Sequence, residues 1–166
     1  MHLRRKLRDK IVALHELKEH VISLKQEGKR IVFTNGCFDV IHAGHVNLLQ
    51  DAGNQGDILI VALNSDISVQ TIKGSGRPII SQNHRAEVLA SLESVDYVVM
   101  FDEPDPLKVI QEIEPNVLVK GGDWSPDAIV GRDVVERAGG TVISIPLIEG
   151  ISTTEIIRRI KDADEE

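Results

Sequence analysis

The sequence predicts a doubly wound α/β domain, a five-stranded parallel sheet with helices on both faces, preceded by one further helix at the N-terminus. Three observations predict it. Short apolar runs alternate with amphipathic helical patterns, the order of repeated strand–helix units. The runs are near-continuous in Val, Ile and Leu, as in parallel strands buried on both faces. Polar, glycine-containing segments follow the runs, where such sheets place their ligands.

The elements follow in order. Leu3, Leu7, Ile11, Leu14, Leu17, Val21 and Leu24 recur at intervals of three and four, which predicts a helix from Leu3 to Glu27 stopped by Gly28. The chain then divides into an amphipathic helix, residues 1–28, and an α/β domain, residues 29–166. The stripe is close to a heptad seam, so this helix either packs on its own domain or pairs with a copy of itself. Strands are expected at Arg30 to Thr34, Ile58 to Asn64, Tyr97 to Phe101, Val117 to Lys120 and Val142 to Pro146. Helices are expected at His45 to Asn54, Asn83 to Leu92, Pro106 to Ile113, Arg132 to Ala138 and Thr153 to Asp162. Thr71 to Ser81, with Lys73, Gly74, Gly76, Arg77 and Pro78 and little apolar content, predicts a mobile loop. The acidic stretch Asp162 to Glu166 is expected to fray.

Composition narrows the function. The net charge of −7 argues against a grip on long nucleic acid, and 3% aromatic residues leave no stacking platform for single strands. No stretch is long and apolar enough to span a bilayer. A lone cysteine, Cys37, forms no intramolecular disulfide and suits a reducing compartment. Arg4, Arg5, Lys6 and Arg8 could suggest a targeting peptide, but Asp9, Glu16 and Glu19 are interleaved with them, so a cytoplasmic protein is expected.

The most informative segment runs from Phe33 to His45. The apolar run Ile31 to Phe33 feeds a polar turn, and His42 and His45 open a helical pattern at Val46, Leu48 and Leu49. Strand, turn and helix start make an anion site, because the first helical amides lack intrahelical partners and the macrodipole favours negative charge there. Two imidazoles three residues apart can face one ligand, and Gly44 between them lets it approach the backbone.

His42-Ala43-Gly44-His45 matches the HxGH signature of the nucleotidyltransferase superfamily. The stretch from Thr34 to His45 resembles the adenylyltransferase family of ADP-heptose biosynthesis, and the likeness extends over about Lys29 to Lys161. It implies a Rossmann-like fold, nucleotide contacts from Thr34, Asn35, Gly36, Phe38 and Gly44, and transition-state donors at His42 and His45.

Three further segments bear on this. Ser152 is an N-cap candidate with Glu155 at the capping-box offset. The segment Ile151 to Arg158 is similar to the superfamily's ISSTxxR signature, which implies that Ser152, Thr153 and Thr154 hold the β- and γ-phosphates; Arg158 falls one position late. Lys73 and Arg77, after Asn64-Ser65-Asp66, can close over a triphosphate, and Lys73 resembles the family's phosphate-binding lysine. Lys120-Gly121-Gly122-Asp123-Trp124 resembles the segment lining the nucleotide pocket, though Trp124 alternatively covers the core edge.

The remaining candidates stay open on their residues alone. Asp39 either positions a phosphate or sugar hydroxyl or fixes its turn by accepting from backbone amides. Arg85 either reaches back to the substrates, as Asn64 and Arg77 would, or is a surface arginine. Cys37 is expected to be a bystander, since in-line transfer needs no covalent intermediate.

The resemblance implies AMP transfer from ATP to D-glycero-β-D-manno-heptose 1-phosphate, with Mg2+ bridging the phosphates and no protein metal site. It implies a homo-oligomer, dimer or tetramer, and a separate sugar kinase supplying the 1-phosphate. Glycerol-3-phosphate cytidylyltransferase is the rival within the class, although Leu147-Ile148 and Gly36-Cys37-Phe38-Asp39 depart from its motifs. A non-catalytic nucleotide-binding or tRNA-handling module is the rival from another class.

Overall fold

The computed structural model describes residues 6–122 and 124–164. A 3-10 turn at Leu7–Lys10 precedes α1 (Leu14–Gln26), β1 (Ile31–Gly36), α2 (Ala43–Gly53), β2 (Ile58–Asn64) and α3 (Asp66–Lys73). Then come α4 (Gln82–Ser91), β3 (Tyr97–Phe101), α5 (Leu107–Ile113), β4 (Val117–Gly121), a 3-10 turn at Pro126–Ala128, α6 (Arg132–Arg137), β5 (Thr141–Ile145) and α7 (Thr153–Asp164). The strands form one sheet in the order β3-β2-β1-β4-β5, every pairing parallel. The chain winds outward from β1 to β3 and then crosses back to β4. The order therefore reverses between β1 and β4, and their carboxyl ends open the crevice where such sheets hold ligands.

Alternation along the strands divides the core in two. Val32, Leu59, Val61, Val117 and Val119 pack with Leu48 and Leu49 of α2 and Leu89 of α4. Ile31, Phe33, Ile60, Ala62 and Leu118 lie in the other cluster, with Leu17 and Val21 of α1, Ile110 and Ile113 of α5, and Val135 of α6. Both faces of the sheet are covered, the physical reason its strands read as unbroken apolar runs. Among the described residues no helix is long and apolar enough to cross a membrane.

The N-terminal segment corrects the expectation of one helix from Leu3 to Glu27. The helix begins only at Leu14, and residues 1–5 lie outside the described residues. Leu7 and Ile11 pack on one face of the sheet, whereas Val12, Leu14, Leu17 and Val21 pack on the other. The chain has to pass round the sheet edge between them, and a straight helix cannot. It does so extended: Ile11 bridges to Val98 in parallel, and Val12 N donates to Val98 O at 3.0 Å. Lys10 Nζ then holds the carbonyl of Val95 at 2.6 Å. Of the two fates open to the apolar stripe of α1, packing on its own domain is the one observed.

A second correction concerns Asn64 to Ser81. Residues Asp66–Lys73 form a helix, capped by Ser65 Oγ accepting from Ser68 N at 3.2 Å, so the loop starts at Gly74 and Lys73 ends a helix. Only Ser68 and Val69 of this helix are buried, which left no apolar period to read.

Candidate active site

After β1 the chain makes a strained turn, with Phe38 at φ 45° and Val40 at φ 51°. A bulky and a β-branched residue take such angles only when their surroundings over-determine them. Here they do. The buried Asp39 carboxylate accepts from the amides of Ile79 at 2.8 Å and Ile80 at 3.0 Å and from Arg77 Nε at 2.7 Å. Its backbone carbonyl accepts from Thr153 Oγ1 at 2.7 Å, which ties the turn to the start of α7. Burial pushes the Asp39 carboxyl up, but the two amides and Arg77 outweigh it and hold the pKa below the ordinary carboxylate value.

The turn delivers the histidine pair. His42 caps α2, its Nδ1 accepting from Gly44 N at 3.1 Å, while His45 Nδ1 accepts from His42 N at 3.4 Å. The rings stack with centroids 3.9 Å apart. With both Nδ1 lone pairs occupied, each neutral imidazole carries its proton on Nε2 and presents a donor. Burial, then the like charges of His42 and Lys73, push His45 down to about 4, and burial lowers His42 as well. Both rings are neutral near pH 7 until an anion arrives. A Cβ on Gly44 would sit 2.9 Å from His42 Cε1, so the glycine is what lets that ring lie over the helix start.

A cavity of about 550 Å³ opens here, at the ends of β1, β2 and β4. Of the residues expected in a site, Asn35, Gly36, Phe38, Asp39, His45, Asn64, Lys73, Arg77, Lys120, Trp124 and Thr153 line it. His42 is not on the wall and stacks on His45, which is. The first helical amides of α7 lack intrahelical partners, and Ser152 Oγ caps the helix by accepting from Glu155 N at 3.1 Å. Ile151 lies beside Gly44, so the starts of α2 and α7 are neighbours.

Several expected residues stand elsewhere. Thr34 is fully buried in β1, off the cavity, with a hydroxyl that finds no partner. Gly44, Gly122, Ser152 and Thr154 are not on the wall either, although each adjoins a residue that is. Asp123 lies outside the described residues. Arg85 is neither at the surface nor on the cavity: it is 1% exposed, with its guanidinium held by backbone carbonyls and Asp66. Arg158 is held along α7 by Glu155 and Asp162. The reciprocal half of the expected capping box is absent, because Arg158 and Arg159 engage the Glu155 carboxylate and lower its pKa to about 2.

Reading the residues missed the outer walls. Pro104, Asp105 and Pro106 after β3, Ala128, Ile129 and Val130 after β4, and Leu147 after β5 all line the cavity. They carry no motif, and only the strand order brings them together. The Lys120 ammonium stands 5.4 Å from the Trp124 ring centroid, and the indole Nε1 donates to Gly121 O at 2.9 Å. Burial lowers the Lys120 pKa. Cys37 also lines the cavity, but burial raises its thiol pKa against the pull of Lys73, Arg85 and Arg77. It is poorly placed to act as a thiolate.

An anion lying along the two helix starts would meet imidazole and ammonium donors, and Cys37, with its thiol pKa raised, is not poised among the described residues as a covalent nucleophile. In-line transfer at phosphorus asks for just this positioning and charge stabilisation, and on a doubly wound sheet it places the chain among the nucleotidyltransferases. The chain belongs to the cytidylyltransferase-like family, whose sequence model matches residues 33–159. Its relatives include the "Bifunctional protein HldE" of Syntrophotalea carbinolica, 49% identical over 159 residues, covering 95% of this chain and 32% of the relative. The protein of the same name from Geotalea uraniireducens is 51% identical over 152 residues, covering 92% of this chain and 31% of the relative. The chain thus spans about a third of the length of these relatives. Among solved structures, the lipopolysaccharide core biosynthesis protein from Thermoplasma volcanium superposes with a TM-score of 0.58 at 28% identity, covering 73% of this chain and 98% of that one. Pantoate-beta-alanine ligase from Francisella tularensis, at 17% identity and a TM-score of 0.63, covers 91% of this chain and 76% of that one and shares the fold.

Proposed function

We propose that the protein transfers AMP from ATP to a heptose 1-phosphate, D-glycero-β-D-manno-heptose 1-phosphate, yielding ADP-heptose and pyrophosphate. The observation that carries the reading is the histidine pair, two stacked neutral imidazoles with Nδ1 occupied and Nε2–H free to donate, at the start of α2 beside the cavity. The identity of about half to the HldE proteins and the likeness to a lipopolysaccharide core biosynthesis protein support the choice of acceptor.

In this reading an acceptor phosphate oxygen attacks the α-phosphorus as the bond to the bridging oxygen breaks, and pyrophosphate leaves with that electron pair. The Nε2–H groups of His42 and His45 donate to the α-phosphate oxygens, where charge changes most. Lys73 and the start of α7 around Ser152, Thr153 and Thr154 hold the departing pyrophosphate. Lys120, Gly122 and Trp124 adjoin the base, Asn35, Gly36 and Phe38 shape the floor, and Gly44 leaves room at the start of α2. Asn64 and Arg77 face the acceptor, and Asp39 keeps Arg77 in place.

Among the described residues no group of three or more His, Cys, Asp or Glu could hold a metal ion, and Asp39 is already bonded to Arg77 and two amides. In this reading magnesium would enter with the substrate, carried on the phosphates of ATP. We place this activity in residues 29–166, in the cytoplasm, fed by a sugar kinase activity and with the chain in a homo-oligomer.

Pyrophosphate release with ATP or CTP, each paired with heptose 1-phosphate or glycerol 3-phosphate, tests the reading. Release is expected with ATP and heptose 1-phosphate, the product carrying the mass of ADP-heptose. Turnover confined to CTP and glycerol 3-phosphate would replace this donor and acceptor, and no turnover with any pair would remove the enzyme.

A further inference from the structure

The geometry points to Arg85 as a positioning residue, one that fixes the strained Cys37–Val40 turn and the Lys73–Ile80 segment for transfer without touching either substrate. Its Nε donates to Ile80 O at 2.8 Å and its Nη1 to Cys37 O at 2.6 Å and Asn64 O at 2.8 Å. Its Nη2 reaches the Asp66 carboxylate at 2.8 Å. These acceptors belong to four segments: the turn after β1, the end of β2, the first turn of α3 and the loop before α4. Each of these segments also supplies the cavity, with Cys37, Asn64, Lys73 at the far end of α3, and Arg77.

The strain gives this hub something to do. Arg85 holds the carbonyl immediately before Phe38, the first of the two residues at positive φ. Ile80 is gripped from both sides, its amide by Asp39 and its carbonyl by Arg85, so turn and loop close into one hydrogen-bonded ring. A planar, permanently charged guanidinium with five donors can serve all four acceptors at once, and an ammonium cannot. A buried cation is tolerated where its bonds are this fully made.

Cys37 is the protein's only cysteine and lines the cavity within the turn, so its rate of reaction with a disulfide reagent such as DTNB reports on the turn with no substrate present. Arg85→Lys keeps the charge but loses the fork. In that variant Cys37 is expected to react on the order of tenfold faster, because local opening becomes easier. Turnover is expected to fall on the order of ten- to a hundredfold, the size of effect that a small misplacement of catalytic groups produces. KM for ATP should change less than about threefold, since the loss is felt in the transition state. If Arg85→Lys does not fold, Asp66→Asn, which removes the charge facing Nη2 and weakens the Gln82 amide's bond to the same Oδ1, should show both changes at smaller size. An unchanged thiol rate in the folded variant overturns the proposal. So does a raised KM with unchanged kcat, which would make Arg85 a substrate contact. The kinetic arm rests on the proposed transfer and the thiol arm does not, so a wild-type protein without turnover defeats that reading and leaves the thiol rates to decide this one.

Discussion

At the scale of single residues, the histidine pair gives the fold a pH dependence of its own. The folded pKa of His45, about 4, lies below the unfolded value of 6.5, so in that window the unfolded chain binds a proton that the native protein does not. Stability is therefore fully present above pH 6.5 and is lost as the pH falls toward 4; His42, also lowered, adds in the same direction. Thermal melts from pH 7 to 4 should show a steeper fall in Tm for the wild type than for His45→Gln, and parallel curves would refute the assignment. Gly44 makes a separable prediction. Gly44→Ala replaces a glycine in the first turn of α2, favourable by less than about 1 kcal/mol, yet its Cβ displaces the His42 ring. The expected variant melts no lower than wild type and turns over more slowly, and full activity would show that the ring's position is immaterial. The histidines were legible because their spacing at a helix start is local. The fate of Arg85 was not, since no local pattern says that a side chain turns inward to four carbonyl and carboxylate oxygens.

Among the elements, α1 and α3 show where periodicity misleads. The apolar stripe from Leu7 to Leu24 is continuous in sequence, but its first part serves one face of the sheet and its second part the other. Period alone cannot reveal a change of partner. Because Leu17 is fully buried against the sheet, Leu17→Ala should cost about 2–5 kcal/mol, measured by denaturant unfolding. A cost near zero would mean that α1 is dispensable to the core. In α3 the signal lay in the Ser65 cap, because a helix with two buried residues has no stripe. The strands and the remaining helices were legible within one or two residues, most of them because they bury an apolar run or face, and α7, which buries none of its described side chains fully, because Ser152 marks its start.

For the whole molecule, the strand order β3-β2-β1-β4-β5 assembles the cavity. It brings the turn after β1 against the loop after β4 and sets the segment after β3 as an outer wall. That order lets a chain of net charge −7 gather Lys73, Arg77 and Lys120 into one crevice, where the acidic side chains on the wall are Asp39, paired with Arg77, and Asp105. The parallel order was legible from the alternation of strands and helices, whereas Pro104–Pro106 and Ala128–Val130 became walls only through the topology. Whether transfer takes place in this crevice is tested most directly by the kcat of pyrophosphate release from ATP in His45→Ala. Loss of a transition-state donor should lower it on the order of a hundredfold or more, with the fold intact. A folded His45→Ala protein that kept wild-type turnover would contradict the assignment of the site.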